Sequence, residues 1–426
     1  YDKNRIEIAE QTDGVFYKAY DSKELVDIYA EIGIGNDFDT TDTDGDGLYD
    51  AVEAAGIRLQ NGKIITECDP NNPDTDGDGL KDGEEINPKP FYSSKTIYND
   101  DGTVNTVEGY YFKMKSDPTL IDTDYDGIDD ENDEKPNSNI FLGKLKDTYY
   151  EYNVEFSLDY RSFFESKETY QKDLAILGSI FANLAYVNDY LEHNWLTGKE
   201  KYKVRHTALT INDGTDLSDA GIKDVFTAFG LEDYEDYKLS EHFDDDDISE
   251  MMIGHRKVSY NKKDKERIFV SVRGTDGTIE EWSSNFDVGA DTEDYWDRNN
   301  PYWRNKEHHK GFDVAANRLY DQIINYVNAN IDNNSDKAIY IVGHSRGAAI
   351  SNILGTKFEN KEGYESYVYT YACPGTTTDT SYKRYKSIFN IVNEDDLVPR
   401  LPLDAWGFHR YGTTYSASIV NDDYEN

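Results

Sequence analysis

The chain has 426 residues, a net charge of −41 at pH 7 and a mean hydropathy of −0.80. So acidic a surface argues against nucleic-acid binding, which needs a basic footprint, and disfavours adsorption to anionic lipid. No apolar segment is long enough to span a bilayer, and the start at Tyr1 without a signal peptide indicates a mature form or a fragment. Cys68 and Cys373 fall in different predicted domains and imply no disulfide framework.

The acidic residues are concentrated near the amino terminus. Residues 1–136 carry 35 Asp and Glu against 12 Lys and Arg, about half of the net charge in a third of the chain. After Pro136 the sequence changes to longer apolar-periodic segments rich in Tyr, Phe and Ile. We therefore predict a boundary near 137–147, which separates an N-terminal segment (1–36) and a repeat domain (37–136) from one large domain (137–426).

The repeat domain contains three copies of one acidic loop: "DTDGDGLYDAVE" from Asp42, "DTDGDGLKDGEE" from Asp74 and "DTDYDGIDDEND" from Asp122. Acids at positions 1, 3, 5, 9 and 12, glycine at 6 and a carbonyl at 7 follow the ligand spacing of a calcium loop. Oxygen ligands without His or Cys favour Ca²⁺ over zinc, so we expect several structural calcium ions and no organic cofactor. The predicted ligands are Asp42, Asp44, Asp46, Leu48, Asp50, Glu53, Asp74, Asp76, Asp78, Leu80, Asp82, Glu85, Asp122, Asp124, Asp126, Ile128, Asp130 and Asp133.

These loops resemble thrombospondin type-three repeats and, more closely, the double-calcium segment of the binding components of bacterial binary toxins. In that segment a downstream Asp-Pro supplies a ligand to a second ion, which makes Asp69 and Asp117 weaker candidates here; a plain Asp-Pro turn is the alternative. The resemblance implies an extracellular spacer, secreted or at a bacterial cell surface, which can contact a carrier or surface partner.

The large domain begins with segments that carry few motifs. "YQKDLAILGSIFANLAYVNDYL" (170–191) predicts a helix. Further on, "AIYIV" predicts a strand that leads into Gly343-His344-Ser345-Arg346-Gly347, and "RGAAISNILGTKF" predicts a helix after it. A strand, a serine between glycines and a helix are the parts of a nucleophile elbow.

A serine nucleophile also needs an oxyanion hole and an acid that orients a histidine. One N–H belongs to Arg346, and Thr275, in the turn after "RIFVSV", is the natural second donor. "SIFNIVNEDDLVPRLP" predicts another strand that ends in acids, where such a carboxylate belongs.

These segments resemble class-three (fungal-type) lipases, which have the α/β-hydrolase fold. "VSVRGT", "HKGF", "VGHSRGAA" and "NEDDLVPRLP" match in order, and "TYACPG" matches loosely. The predicted fold class is therefore α/β: a class-three lipase-like α/β-hydrolase domain preceded by an irregular calcium-loop repeat domain. The resemblance makes Ser345 the nucleophile, Asp396 the acid, ahead of Glu394 and Asp395, and Thr275 with Arg346 the oxyanion hole.

The histidine is the open part of this assignment. In this order it follows the acid, and His409 is the only histidine after Asp396. In the family a histidine at this place is common but not catalytic. His409 has taken the role, or the base lies beyond Asn426 in a longer protein, or the domain is inactive.

The predicted function is a secreted calcium-binding serine hydrolase of carboxylic esters, most naturally a lipase or phospholipase. "TDGTIEEWSSNF" (275–286) is a candidate lid, as is "DYWDRNNPYWRN" (294–305). The alternatives are a non-catalytic calcium-dependent surface or adhesion protein with a degenerate hydrolase domain, and a phospholipase effector or toxin component. Expected partners are a lipid or another ester, with no nucleic acid.

Overall fold

The protein is described here from a computed structural model, and contacts divide the chain into two compact units. The first contains the described residues up to Asp124 and Ile128–Asn139; the second contains Tyr125–Gly127 and the residues from Ile140 onwards. The predicted N-terminal segment (1–36) lies outside the described residues, as do nearly all of the two candidate lids. The structure describes residues 41–59, 63–66, 68–98, 104–146, 151–185, 189–194, 199–204, 210–211, 226, 229–239, 249–261, 263–275, 302, 304–305, 307–359, 361–402 and 406–417.

The first unit is a set of loops with short elements and a small core. Leu48, at position 7 of the first acidic loop, is 2% exposed and packs in that core with Ile57 and Ile86. The loops therefore contribute apolar side chains as well as carboxylates. The described elements are helices α1 (Asp50–Ala55) and α2 (Asp82–Glu85), and strands β1 (Ile57–Arg58), β2 (Ile64–Ile65), β3 (Ile86–Tyr98) and β4 (Val104–Met114), paired antiparallel as β1–β2 and β3–β4.

The second unit begins with small antiparallel sheets around one helix. Helix α3 (Lys172–Leu184) confirms most of the predicted helix, but the prediction was wrong at its end. Asp189–Asn194 is strand β7, paired with β8 (Lys199–Val204), because the antiparallel ladder overrides a weak local helix preference. A three-stranded sheet has the order β6-β5-β9, with β5 at Ile140–Lys146, β6 at Glu151–Ser157 and β9 at Thr210–Ile211.

The main sheet of the second unit has seven described strands in sequential order, β10 to β16. The first three are antiparallel, and β12 to β16 are all parallel. Parallel strands bring their carboxyl ends to one edge of a sheet. The strands are β10 (Glu232–Lys238), β11 (Glu250–Tyr260), β12 (Lys263–Val272), β13 (Lys337–His344), β14 (Tyr364–Tyr371), β15 (Ile388–Val392) and β16 (Thr413–Ser416).

Helices cover both faces of this sheet. Ile339 and Ile341 of β13 join the buried cluster formed with α4 (Lys310–Asn330) and α5 (Arg346–Phe358), whereas Tyr340 points to the other face, towards α3. The Tyr340 hydroxyl donates to a backbone carbonyl of α3, so this large side chain stays buried without an unsatisfied group. A strand that is buried on both faces has apolar residues at successive positions, which explains the continuous apolar run "AIYIV". No helix among the described residues is long and apolar enough to cross a membrane.

Candidate functional site

Ser345 lies in a strained turn between β13 and α5. Its φ of 55° and ψ of −122° are unusual for a residue with a side chain. The turn is held because the Ser345 N–H donates to the Tyr371 carbonyl on the neighbouring strand at 2.9 Å. The hydroxyl makes no hydrogen bond to any described residue. The arrangement confirms the predicted strand, sharp turn and helix, and presents a serine side chain at the carboxyl edge of the sheet.

The two glycines of the motif let the helix approach the strands. A Cβ on Gly347 would lie 2.1 Å from the Val272 carbonyl oxygen, and one on Gly343 would lie 2.4 Å from the Gly347 carbonyl oxygen. Both obstacles are backbone atoms, which cannot rotate away. These contacts explain why the motif needs glycine on each side of the serine.

The predicted oxyanion-hole residues lie at the same edge. Arg346 is the first residue of α5, where backbone N–H groups have no intrahelical acceptor. Arg346 is 2% exposed, and its guanidinium donates to the Ser249 hydroxyl, so the side chain is buried in the core. Thr275 is partly buried three residues beyond β12, whose end pairs with Gly343.

Asp396 follows β15 at this edge. One carboxylate oxygen accepts the Val398 N–H at 2.9 Å, which orients the side chain. Desolvation lowers the pKa of His344, and the negative charge of Asp396 opposes that shift. The charge of Asp396 therefore acts on the histidine that directly precedes the nucleophile in the chain. The neighbouring acids Glu394 and Asp395 are exposed, and Glu394 accepts from a β16 hydroxyl at 2.9 Å.

The structure does not join His409 to Ser345 or Asp396. Its backbone pairs with Thr377, where the His409 N–H donates to the Thr377 carbonyl at 2.7 Å. Its ring stacks on Tyr382 with centroids 4.4 Å apart and 14° between the planes. Among the described residues the His409 ring has no hydrogen bond.

A buried hydrogen-bond network around His308 was not expected from the sequence. His308 Nδ1 lies 2.6 Å from Asp313 Oδ1, and Nε2 lies 2.9 Å from the Tyr411 hydroxyl. Asp313 is fully buried, and Tyr411 also hydrogen-bonds to Thr377. The network ties the start of α4 to the segment before β16. The spacing of His308 and Asp313 gave only a weak signal, because Tyr411, whose hydroxyl contacts the other nitrogen of the His308 ring, is about a hundred residues away.

The acidic loops of the first unit adopt the same hydrogen-bond pattern. Asp42 accepts from the Gly45 and Gly47 N–H groups, and Asp74 accepts from Gly77 and Gly79, at 2.7–3.2 Å. In each of these two loops the carboxylates at positions 1, 3 and 5 have oxygens within 4.8 Å of one another. The third loop is divided between the two units: Asp122 and Asp124 belong to the first unit, and Tyr125–Gly127 belongs to the second.

The position-9 acids have a different environment from the other predicted ligands. Asp50, Asp82 and Asp130 each accept both the N–H and the hydroxyl of a threonine at position 2, at 2.6–3.0 Å. The downstream aspartates differ from each other. Asp69 is exposed and accepts from Asn71, whereas Asp117 is buried and paired with a lysine.

Consecutive loops are joined by an equivalent bond. The Gly83 N–H donates to Asp46 at 2.8 Å, and the Glu131 N–H donates to Asp78 at 3.2 Å. In both cases position 10 of one loop contacts position 5 of the loop before it. This brings carboxylates of neighbouring loops together, so that Asp78, Glu85 and Asp130 have oxygens within 4.8 Å of one another.

Several of these carboxylates are buried without compensation. Glu53 is 1% exposed and Glu85 is fully buried, and neither has a hydrogen-bond partner for its carboxylate oxygens among the described residues. Burial, helped by neighbouring aspartates, raises the pKa of Glu53 to about 8 and that of Glu85 to about 9. It also raises the pKa of Asp76 and of Asp130 to about 7. Such groups need protons or cations to offset their charge.

Cys68 is a member of this environment that the sequence did not indicate. Its sulfur lies 3.1 Å from Asp82, within the cluster that also contains Glu53. Burial and the neighbouring Asp82 raise the pKa of the Cys68 thiol, so the neutral form dominates at ordinary pH. This cluster therefore combines a thiol with carboxylates, whereas the sequence predicted oxygen ligands only. Cys68 and Cys373 are both free and buried.

Residues 269–406, about a third of the chain, match the family model described as lipase (class 3). Together with the parallel strands and the elbow at Ser345, this match defines the second unit as a lipase-like α/β-hydrolase domain. No curated protein sequence matches the chain.

Several solved lipases resemble the chain at low identity. Mono- and diacylglycerol lipase from Aspergillus oryzae is 19% identical over 57% of this chain and 79% of that one, with a TM-score of 0.36. A mutant form of MDLA from Penicillium cyclopium is 20% identical over 58% and 81%, with a TM-score of 0.36. A triacylglycerol lipase whose catalytic centre is described as a serine protease triad is 20% identical over 41% and 63%, with a TM-score of 0.31. The chain thus covers less than two thirds of that last lipase.

Proposed function

We propose that the second unit hydrolyses carboxylic esters with Ser345 as nucleophile. The observation that carries the proposal is the left-handed φ of 55° at Ser345, which holds a serine hydroxyl at the edge where the parallel strands end. Strain of this kind persists only where the surrounding structure enforces it, and it is concentrated at functional sites. Ser345 Oγ would attack the acyl carbon, and the resulting acyl-enzyme would be released by water.

The oxyanion of the tetrahedral intermediate would bind the backbone N–H of Arg346 and a donor from Thr275. Arg346 is suited to this role because its N–H belongs to the first turn of α5, where the helix dipole also favours negative charge. Asp396 would orient and stabilise the histidine that takes the serine proton and returns it to the leaving alcohol. The base would be His409, or a histidine beyond Asn426 in a longer chain.

The direct test is covalent labelling of the full chain, in calcium, with a fluorophosphonate probe and measurement of intact mass. One adduct on the parent that is absent from Ser345→Ala and retained in Ser335→Ala would support the proposal, since Ser335 lies two residues before the opposite end of β13. Loss of the adduct in His409→Ala would identify His409 as the base. An unlabelled parent would contradict a complete hydrolase in this chain.

A second candidate is a non-catalytic surface or adhesion protein. The observation that favours it is that the Ser345 hydroxyl and the His409 ring lack hydrogen bonds in the described part of the chain. Turnover of a short soluble ester that is lost in Ser345→Ala would exclude this candidate. Turnover confined to liposomes would instead favour a phospholipase effector or toxin component over a lipase of neutral glycerides.

We further propose that the first unit binds calcium and that the protein acts outside the cell. Support comes from the uncompensated carboxylate oxygens of Glu53 and Glu85 and from buried Oδ2 atoms of Asp44 and Asp76, which lack partners among the described residues. Hard oxygen donors in converging sets suit Ca²⁺, and a divalent cation would offset their repulsion. In this role calcium stiffens the first unit and takes no part in ester cleavage.

Titration with terbium, followed by displacement with calcium, tests this part of the proposal. Glu85→Gln should weaken binding, whereas Glu84→Gln removes the same charge from an exposed neighbour and should leave binding nearly unchanged. Equal losses in the two variants would show that net charge, not the buried carboxylate, governs ion uptake.

A further inference from the structure

A cavity of about 710 Å³ lies beside the edge strand β16. Its walls come from the segment around Tyr382, from both sides of the Asp396 turn and from the residues that precede β16. The charged side chains that line it are Lys383, Lys386, Arg400 and Arg410, against the single carboxylate of Glu394.

This excess of positive charge is the reverse of the rest of the chain, which has 85 acidic and 44 basic residues. A concave surface lined by one sign of charge concentrates its field and raises the local concentration of counter-ions. Four cations gathered in one cavity of such an acidic protein therefore indicate an anionic ligand.

The two arginines are held in place by the backbone. The Arg400 guanidinium donates to the Glu394 carbonyl, and the Arg410 guanidinium donates to the Pro399 carbonyl. Each guanidinium has five N–H donors, so donors remain after these bonds. Arg410 Nε is buried and has no partner among the described residues. Fixed forks of this kind match the oxygens of a phosphate.

The cavity also has a flat wall. The stacked rings of His409 and Tyr382 both line it, and the Lys383 ammonium lies 5.6 Å from the Tyr382 ring centroid. These rings offer an apolar surface to the organic part of a ligand whose anionic group contacts the cations.

We propose that this cavity, formed by Lys383, Lys386, Arg400, Arg410 and His409, binds the phosphate group of a phosphoester. A dianionic phosphate would offset most of the net positive charge that remains after Glu394 is counted. Because Glu394 and Arg400 lie on either side of Asp396 in the chain, the bound phosphate would also contact the loop that carries the predicted catalytic acid. If the proposed ester hydrolysis holds, this site directs the enzyme to phosphate-bearing esters.

Calorimetric titration of the full chain with glycerol 3-phosphate, at constant ionic strength in sodium chloride, tests the site directly. Lys383→Gln and Arg400→Gln should each weaken binding about tenfold, the effect of losing one charge-assisted hydrogen bond. Arg384→Gln is the matched control, because Arg384 is adjacent and exposed but pairs with Asp379 at 3.5 Å and does not line the cavity. Lys383 is exposed, so its variant should fold normally.

Two comparisons complete the test. The first identifies the source of the phosphate, and the second distinguishes failure of the phosphate site from failure of the proposed ester hydrolysis. Binding of dihexanoylphosphatidylcholine as monomers in addition to glycerol 3-phosphate would indicate a lipid headgroup, and binding of glycerol 3-phosphate alone would indicate a soluble phosphoester. The titrations are repeated with Ser345→Ala, which should bind equally well even if the chain hydrolyses nothing. No heat beyond the chloride control, or an equal loss in Arg384→Gln, would overturn the phosphate site.

Discussion

Removal of calcium should make the stability of the first unit depend strongly on pH. The raised pKa of Glu85 gives the expected size of this dependence. Burial, reinforced by Asp76, Asp78 and Asp130, raises the pKa of Glu85 to about 9 from an ordinary 4.5. The folded state without a cation therefore retains a proton that the unfolded chain releases. Stability is highest below the unfolded pKa and falls as pH rises through the window from 4.5 to about 9.

The expected loss between pH 5.5 and 8.5 follows from the slope for one proton. At about 1.4 kcal/mol per pH unit, one retained proton costs roughly 4 kcal/mol across this interval. Calcium should remove most of that dependence, because the cation replaces the proton as the compensating charge.

Hydrogen exchange gives a local measurement on the full chain. The Gly83 and Glu131 N–H groups donate to Asp46 and Asp78 between consecutive loops, so their protection factors report opening of this region. With a chelator, protection should fall from pH 5.5 to 8.5; with calcium it should stay nearly level. Glu85→Gln should flatten the chelated profile.

A chelated profile that is already level in the parent would refute this reasoning. Glu84→Gln serves as the control, since Glu84 is exposed and should leave the slope intact. An equally flattened slope in that control would mean that overall repulsion, not the buried carboxylate, is the cause.

Three further predictions concern the second unit. Gly347→Ala should lower the free energy of unfolding by about 3 kcal/mol because its Cβ meets backbone, whereas Gly363→Ala has open space and should cost about 1 kcal/mol, as urea denaturation would show. Asp396→Asn should lower the pKa of His344 further, because its negative charge supports the protonated ring; NMR titration measures this shift. His308→Ala should destabilise by about 2 kcal/mol, because buried Asp313 Oδ1 loses its ring partner while Oδ2 keeps three other donors; thermal unfolding would detect the loss.

A different result would contradict each of these three predictions. Equal losses in the two glycine variants would mean that the helix can move away from β12. An unchanged His344 titration would show that Asp396 does not reach the ring in solution. Wild-type stability of His308→Ala would assign the network to another purpose than support of the fold.

Local patterns in the sequence were enough to predict the elbow of the second unit and the acidic turns of the first. The apolar run before Ser345 predicted β13, and the small residues after it predicted α5, because periodicity and the glycines of the elbow act over a few residues. The repeated DxDxDG spacing likewise predicted carboxylates that converge in the loops, since turns between neighbouring residues bring them together.

Contacts between distant residues were decided only by the tertiary structure. The sequence shows that His409 follows Asp396 in the chain, but it did not predict that the His409 ring stacks on Tyr382. It also gave no sign that Cys68 lies beside Asp82. Helix α3 ended before its predicted limit for the same reason, because pairing with a later strand outweighed local preference. The sequence by itself determined the strand, turn and helix around Ser345 and the converging carboxylates of the acidic loops. Packing across the sheet and between loops decided which of those side chains meet, because such contacts depend on residues far apart in the chain.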